Sequence, residues 1–354
     1  LRLLKEPFVG RASNEESIAE FVERRLGREF LDYAIDPFVA GVYAAKPEKL
    51  SVRAAFPKLH ALEEKYGGLI RGMIGGRKER KLRKETAKDR AESFSFLDGM
   101  ESFPRGLAAV LRDRIITNAS VSSVREQPVG HGMSVFTVNY ATNGTPLQIT
   151  ADAVILATPA FVSADLLGHL SREIGTTLRS IHYSPVASIF FGVRRADIGR
   201  DVDGFGFLVP TVERRNILGC LWSSSLFPGR AQEGMSALTC FVGGGRQPGL
   251  LERDDPALVE LAGEDLKSIM QITGKPVYFR VTRWPQAIPQ YELGHMKLMV
   301  ELDRFEVDHP GLFLCSNYRG GIAVGDCVMN AHRTAVQVLA RLRPPPDAPA
   351  VGTS

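Results

Sequence analysis

Cysteine is scarce in this chain: four residues in 354, at positions 220, 240, 315 and 327. No spacing among them suits a zinc site or a disulfide framework, so they read as reduced, buried thiols in a reducing compartment. An excess of one charge sign is missing too. Lys and Arg number 44 against 40 Asp and Glu, a formal +4, which gives no support to a nucleic-acid partner. No window holds the roughly 20 apolar residues of a spanning helix, and no charged head leads into a sustained apolar core as in a secretory leader. The common motifs of nucleotide and hydrolytic chemistry are also missing. The nearest approach to a G-x-G-x-x-G turn, residues 243–249 (Gly-Gly-Gly-Arg-Gln-Pro-Gly), puts Pro248 where the third glycine belongs and reads as a loop. There is no P-loop, no G-x-S-x-G elbow and no H-E-x-x-H. The seven histidines are dispersed, and His295 and His332 read as packing or surface residues rather than metal ligands. With no acid–base or nucleophilic constellation, a reaction whose hard step is carried by a bound cofactor fits best.

What is present is ample apolar material, 44% of residues, enough for two domains with real cores. The chain opens at Leu1 without an initiator methionine, already inside a Leu-Arg-Leu-Leu run, and reads as a piece of a longer protein. A capping box at Ser13 and Glu16 predicts a helix carrying Ile18, Phe21, Val22 and Leu26 up to Gly27. Further helices are expected over 29–35 and 57–73, with Gly41 between bulky neighbours in a helix-to-strand corner. Basic residues cluster over 77–90 as a solvated loop, or else as contacts for anionic headgroups. Strands are expected at 94–99, 121–124, 134–140, 152–159, 186–193, 205–209, 217–222, 238–242 and 277–282, with Asn143-Gly144 as a hairpin turn. Helices are expected at 103–111, 160–169, 171–180 and 256–272, and a disordered tail from 343.

The densest signal is residues 311–339: a buried strand, a turn with Gly320, Gly321 and Gly325, and a long helix from about Asp326. Glycines let backbone approach a flat or charged group, and a helix N-terminus offers free N–H groups and a positive dipole end. The same pattern can also end a strand for structural reasons alone.

Several segments together resemble oxygen-dependent protoporphyrinogen oxidases, within the flavin amine oxidase superfamily. They are 14–27, 37–45 with 50–57, 203–210 (Asp-Gly-Phe-Gly-Phe-Leu-Val-Pro), 288–295 (Ile-Pro-Gln-Tyr-Glu-Leu-Gly-His), 152–159 and 318–327. The likeness runs from residue 1 to about 340. It departs where the family's dinucleotide fingerprint and its ribose-binding acid would lie, which this sequence does not contain. The resemblance implies a mixed α/β (α+β) fold: part of a three-layer FAD-binding domain interleaved with a sheet-based substrate domain and a helical membrane or substrate subdomain. The expected boundaries are 1–92 helical, 93–182 FAD-binding, 183–295 substrate sheet, 296–342 FAD-binding again, and 343–354 tail.

The resemblance also implies roles. Gly41 would lie beside a tetrapyrrole that a β-carbon would strike. Phe205 and Leu208 would sandwich a pyrrole ring, and Leu221 and Phe241 would line the same cavity; ordinary sheet packing is the competing use of all four. For FAD, Gly320, Gly321, Ile322, Ala323, Val324 and Asp326 would face the isoalloxazine. Val121 and Val124 would meet adenine, Thr158 and Pro159 would form the turn after the flavin-side strand, and Met296 would pack near the ring. The implied partners are a tetrapyrrole and dioxygen, with room for peripheral membrane contact and a homodimer, and a cytoplasmic or organellar location. Two alternatives stand beside this: a flavin amine oxidase or carotenoid desaturase on the same cradle, for which Tyr318 is the single aromatic-cage candidate, and a non-catalytic membrane-associating module.

Overall fold

The computed structural model describes residues 5–76, 94–130 and 133–342. The basic run over 77–90, the opening Leu-Arg-Leu-Leu and the tail from 343 lie outside the described residues. In chain order the main elements are α1 (Ile18–Arg25), α2 (Asp36–Tyr43), α3 (Pro57–Tyr66), α4 (Leu69–Gly75), α5 (Ser102–Leu111), β1 (Ala119–Gly130), β2 (Met133–Thr142), β3 (Thr145–Ala151) and β4 (Val154–Leu156). Then follow α6 (Ala160–Leu167), α7 (Arg172–Arg179), β5 (Tyr183–Arg194), β6 (Gly206–Leu208), β7 (Ile217–Leu221), β8 (Met235–Gly243), α8 (Asp255–Met270), β9 (Tyr278–Pro289), α9 (His295–Asp308), β10 (Leu312–Leu314) and α10 (Val324–Leu342). They gather into two compact units, one from 1–112 with 183–293 and one from 113–182 with 294–354.

The first unit is built on a five-stranded sheet in the order β6-β7-β8-β5-β9, antiparallel at each pairing. Alternation along the strands sends two apolar sets to two faces. Ala187, Ile189, Phe191 and Val193 of β5, with Leu238, Cys240 and Val242 of β8, meet Leu258, Ala262 and Leu266 of α8 in the main core. On the other face Val186, Leu218 and Phe241 pack against Ala40 and Ala44 of α2. Cys220 and Cys240 are register partners on β7 and β8, both free and buried. The sheet thus juxtaposes thiols that are 20 positions apart in sequence. Burial lifts the Cys240 thiol well above its usual pKa, and its neighbour Cys220 adds to the effect.

Local chemistry explains the helical part and corrects several expectations. The capping box belongs to Ser17, not Ser13. The Ser17 Oγ accepts from the Glu20 N–H at 3.2 Å, and the Glu20 carboxylate takes the Ser17 N–H at 2.8 Å. The stretch expected to be one helix from 57 to 73 is two, broken where Gly67 closes α3 at φ +76°. The N-terminus of α4 has no side-chain cap of its own. Instead the buried Glu6 carboxylate accepts from Leu69 and Ile70 N–H at 2.7 and 3.0 Å and from Arg25 at 2.6 Å. Arg25, fully buried, bridges on to Glu63 at 2.5 Å. Residues 94–99 form no strand; they make turns leading to α5. Gly41 is not a corner but lies inside α2.

The second unit holds the antiparallel sheet β1-β2-β3 and the parallel pair β4–β10. Asn143 and Gly144 turn at φ +50° and +78°, the left-handed pair that a two-residue hairpin between β2 and β3 demands. The late helix begins at Val324 rather than Asp326, and none of its residues is fully buried. No helix among the described residues is long and apolar enough to cross a membrane.

Candidate functional site

Helix α2 is clamped onto the sheet at both ends. At its start, Asp36 accepts from Thr211 N–H at 2.7 Å and from Arg246 Nη2 at 2.7 Å. At its end, Gln290 Nε2 donates to the Tyr43 carbonyl at 2.9 Å, and Gly245 N–H donates to the Ala44 carbonyl at 2.7 Å. A widened turn over Leu31–Ile35 precedes it, just where Pro37 brings no N–H to the helical ladder.

Beneath α2 the sheet is bowed. Ser184 pairs with Ile288 and Val186 with Trp284, so Pro185 faces the three residues 285–287. Neither Pro185 nor Pro285 can donate to the ladder, and a bulge is the usual outcome. The bowed strand and α2 enclose an apolar hollow of about 300 Å³. Gly41, Phe241, Trp284, Ala287 and Ile288 are among its walls, and among the described residues Gln286 is the one fully polar side chain there. Leu208 lies across the outside of Gly41: a β-carbon there would sit 2.3 Å from Leu208 Cδ2. The same Leu208 rests on Gly219 of β7, whose β-carbon would fall 2.9 Å from Cδ2 and 2.6 Å from the Phe207 carbonyl oxygen. The glycine at 41 therefore leaves room for Leu208.

Of the residues expected to face substrate, Gly41, Leu208 and Phe241 come together. Leu221 and Phe205 stand at the other end of the β6–β7 pairing, where Gly206 pairs with Leu221 and the Phe205 carbonyl accepts from Trp222 N–H. Phe205 is 57% exposed and is not among the residues lining the hollow. Gly206 is required by its own strand: at φ +133° its β-carbon would lie 2.1 Å from the Cys220 carbonyl oxygen. Trp284, Ala287 and Ile288 had no signal in the expected strand, which ended at 282 before the Pro285 break.

In the second unit β4 and β10 run parallel, with Leu314 opposite Leu156. Their carboxyl ends therefore emerge side by side, the end at which open α/β sheets bind ligands. Thr158 and Pro159 follow one strand, with Thr158 Oγ1 2.8 Å from Ser163 Oγ as α6 begins. Cys315 and the glycine bend follow the other. The bend is held rigidly. Arg319 pairs with Glu306 at 2.7 Å and with Asp303, and Asn330 Nδ2 donates to the Arg319 carbonyl at 2.6 Å. Burial alone would lower the Arg319 pKa, but the two carboxylates outweigh it and keep the guanidinium firmly charged. Gly320 and Gly321 have φ +80° and +128°, and their added β-carbons would strike Asn330 and Asp326. Ile322, Ala323 and Val324 then carry the chain into α10, with Val324 57% exposed.

A flavin fits this edge. An added β-carbon at Gly325 would meet nothing within 4 Å, so backbone and small apolar side chains face open space where a flat ring could lie. Asp326, in the first turn of α10, turns its carboxylate back beside Gly321. A negative charge there suits the helix dipole and accepts from hydroxyl or N–H donors better than it tolerates phosphate. Val121 and Val124 sit on β1 across an irregularity, the first 41% exposed and the second buried. Met296 opens α9, over a third exposed.

Comparisons with known proteins agree with these features. The family described as flavin containing amine oxidoreductase matches residues 4–339. Protoporphyrinogen oxidase 1, chloroplastic, of Spinacia oleracea is 32% identical over 92% of this chain and 60% of its own length. Coproporphyrinogen III oxidase of Bacillus subtilis (strain 168) is 27% identical over 90% of this chain and 66% of its own. The chain thus spans about 60% of the length of the spinach relative. Among solved structures, a protein from Exiguobacterium sp. 255-15 with a provisional protoporphyrinogen oxidase name superposes at a TM-score of 0.73 with 22% identity, over 96% of this chain and 71% of that one; at that identity it speaks to fold alone. The parallel-strand edge, the glycine bend and the family match lead to one conclusion: the chain belongs to the flavin containing amine oxidoreductases, with FAD as its cofactor.

Proposed function

We propose that this chain supplies the substrate hollow and the flavin-facing edge of an oxidase acting on porphyrinogens, with protoporphyrinogen IX as substrate and dioxygen as final acceptor. The observation that carries the reading is the hollow beneath α2. It is walled by Trp284, Phe241, Ile288 and small residues, with Gln286 the one fully polar side chain among the described residues. Such a hollow can take an apolar edge of a large ring, and none of the described residues lining it has a side chain to move a proton at pH 7. FAD, when bound, supplies the hydride acceptor, and three two-electron oxidations convert the porphyrinogen to the aromatic porphyrin while dioxygen leaves as hydrogen peroxide. What the chain itself does is orient and desolvate. The bulged strand and α2 shape the hollow, Leu208 packs on Gly41 of its wall, and the bend around Arg319 holds an apolar backbone surface for the cofactor. The names of the spinach and Bacillus relatives support a tetrapyrrole as the substrate class.

The test uses the protein purified at its natural full length. A flavin absorption spectrum, and the growth of porphyrin fluorescence when protoporphyrinogen IX is supplied in air with hydrogen peroxide formed in step, would support the reading. Faster oxidation of coproporphyrinogen III would correct the substrate. Oxidation of alkyl or aryl amines with no porphyrinogen turnover would overturn it.

A further inference from the structure

The first unit holds a second cavity, about 460 Å³, of opposite character to the hollow. It lies at the loop ends of β6, β7 and β8, around the start of α2. Six cationic side chains, Arg28, Lys46, Lys49, Arg214, Arg215 and Arg246, line it together with three carboxylates, Asp32, Asp36 and Glu48. Two of the three carboxylates are committed, and Glu48 stands exposed at the rim, leaving the cations in excess. Asp36 is saturated by Thr211 and Arg246, and Asp32 takes Arg28 at 2.9 Å. Arg215 leans on Asp265 at 3.6 Å. Among the described residues, Lys46, Lys49 and Arg214 have no carboxylate within ion-pair reach. The deepest cation is Arg246, whose side chain is only 9% exposed. Its Nη1 donates to the Val209 carbonyl at 2.6 Å and its Nη2 to Asp36, while its Nε has no partner. That Nε is closed off from solvent, so what Arg246 offers the cavity is its charge and its outer guanidinium N–H groups rather than the Nε. Burial draws the Arg246 pKa down and Asp36 pulls it back, the mark of a cation short of negative charge.

We propose that this cavity is a binding site for an oxyanion ligand carrying two or more negative charges, with Arg246 at its floor and Lys46, Lys49 and Arg214 at its mouth. Carboxylates and phosphates share the chemistry that would satisfy it: planar or tetrahedral oxygens matched by guanidinium donors and steered by ammonium groups. The occupant could be a free small polyanion or the carboxylate-bearing edge of the tetrapyrrole. Only the choice between these two sources rests on the function proposed above; the anion site itself does not.

The test titrates inorganic pyrophosphate into the flavin-loaded, full-length protein by calorimetry, so that the cofactor's own phosphate seat is occupied. One-to-one binding that weakens with salt, and falls about tenfold or more in a Lys49→Glu, Arg214→Glu double variant, is the expected result. Both positions are exposed, so an unchanged melting temperature separates charge loss from misfolding. Arg246→Lys, which keeps the charge and loses the fork, is expected to weaken binding as well. Absence of pyrophosphate binding at millimolar concentration, or equal binding by wild type and double variant, would overturn the proposal. Given binding, displacement of pyrophosphate by coproporphyrin assigns the site to the tetrapyrrole edge, and simultaneous binding assigns it to a separate small anion; either supports the site. Failure of porphyrinogen oxidation with pyrophosphate binding intact would remove the function and leave the site standing.

Discussion

At the residue scale, the glycines divide by what stands opposite them. At Gly41 the obstacle is the far end of Leu208, a side chain 42% exposed and able to swing away. At Gly219 the obstacle is the Phe207 carbonyl, backbone that cannot retreat. Gly41→Ala is therefore expected to lower stability by under about 1 kcal/mol while raising the substrate KM, and Gly219→Ala to cost about 2 kcal/mol, the range of overpacked sites. Thermal melts and steady-state kinetics on the two variants check the contrast. Phe205 stands exposed outside the hollow, so Phe205→Ala is expected to leave turnover and flavin content near those of the parent protein, measured by steady-state kinetics and the ratio of flavin to protein absorbance; a marked fall in turnover with flavin retained would instead assign the ring a substrate role. Glu6 carries the clearest pH dependence. Burial raises its pKa, but the Leu69 and Ile70 N–H groups and Arg25 outweigh that, so the folded value lies below the ordinary one. A depressed carboxylate contributes stability that is full above the ordinary glutamate pKa, about 4.3, and is lost as pH falls through the lower folded value. Glu6→Gln should remove this acid-side loss and cost about 3 kcal/mol at neutral pH, because among the described residues Arg25 then keeps Glu63 as its one carboxylate. Urea melts from pH 7 to pH 3 measure both.

At the scale of elements, the two Ser-x-x-Glu patterns, Ser13 to Glu16 and Ser17 to Glu20, cannot be told apart by spacing. The structure chooses the second because Ser17 also bridges to Ser51, which fixes where the chain enters α1. Ser17→Ala should then cost about 1 kcal/mol, as lost caps do, and Ser13→Ala almost nothing. Most strands were legible in period-two alternation, and the β2–β3 turn in Asn143-Gly144. The second half of β9 was not. Pro285 argues against a strand locally, whereas the sheet accepts it by bulging opposite Pro185, and that bulge makes the hollow. Glycine 41 was legible as special, but as a break; in the helix its neighbour Leu208 comes from 167 residues along the chain.

At the scale of the whole molecule, the thiols report on packing. Cys220 and Cys240 are buried inside the first unit's core, while Cys315 and Cys327 are partly accessible. Cys327 is made less reactive first by burial and then by the nearby Asp326 charge, both of which raise its pKa. Thiol reagents at neutral pH should therefore label Cys315 and Cys327 slowly in the native protein and reach Cys220 and Cys240 only when denaturant unfolds the sheet. Peptide mass mapping after timed labelling reads this directly, and native labelling of Cys240 would contradict it. The alternation of strands and helices, and the absence of hydrolytic, metal or nucleotide-loop motifs, were written in local sequence, because periodicity and turn chemistry act over a few residues. Which glycine serves a neighbour, where the proline-broken strand bows, and how Arg246, Lys49 and Arg214 come to line one cavity were decided only by tertiary structure. Each of these depends on contacts between segments that are far apart along the chain, and no short window of sequence records such contacts.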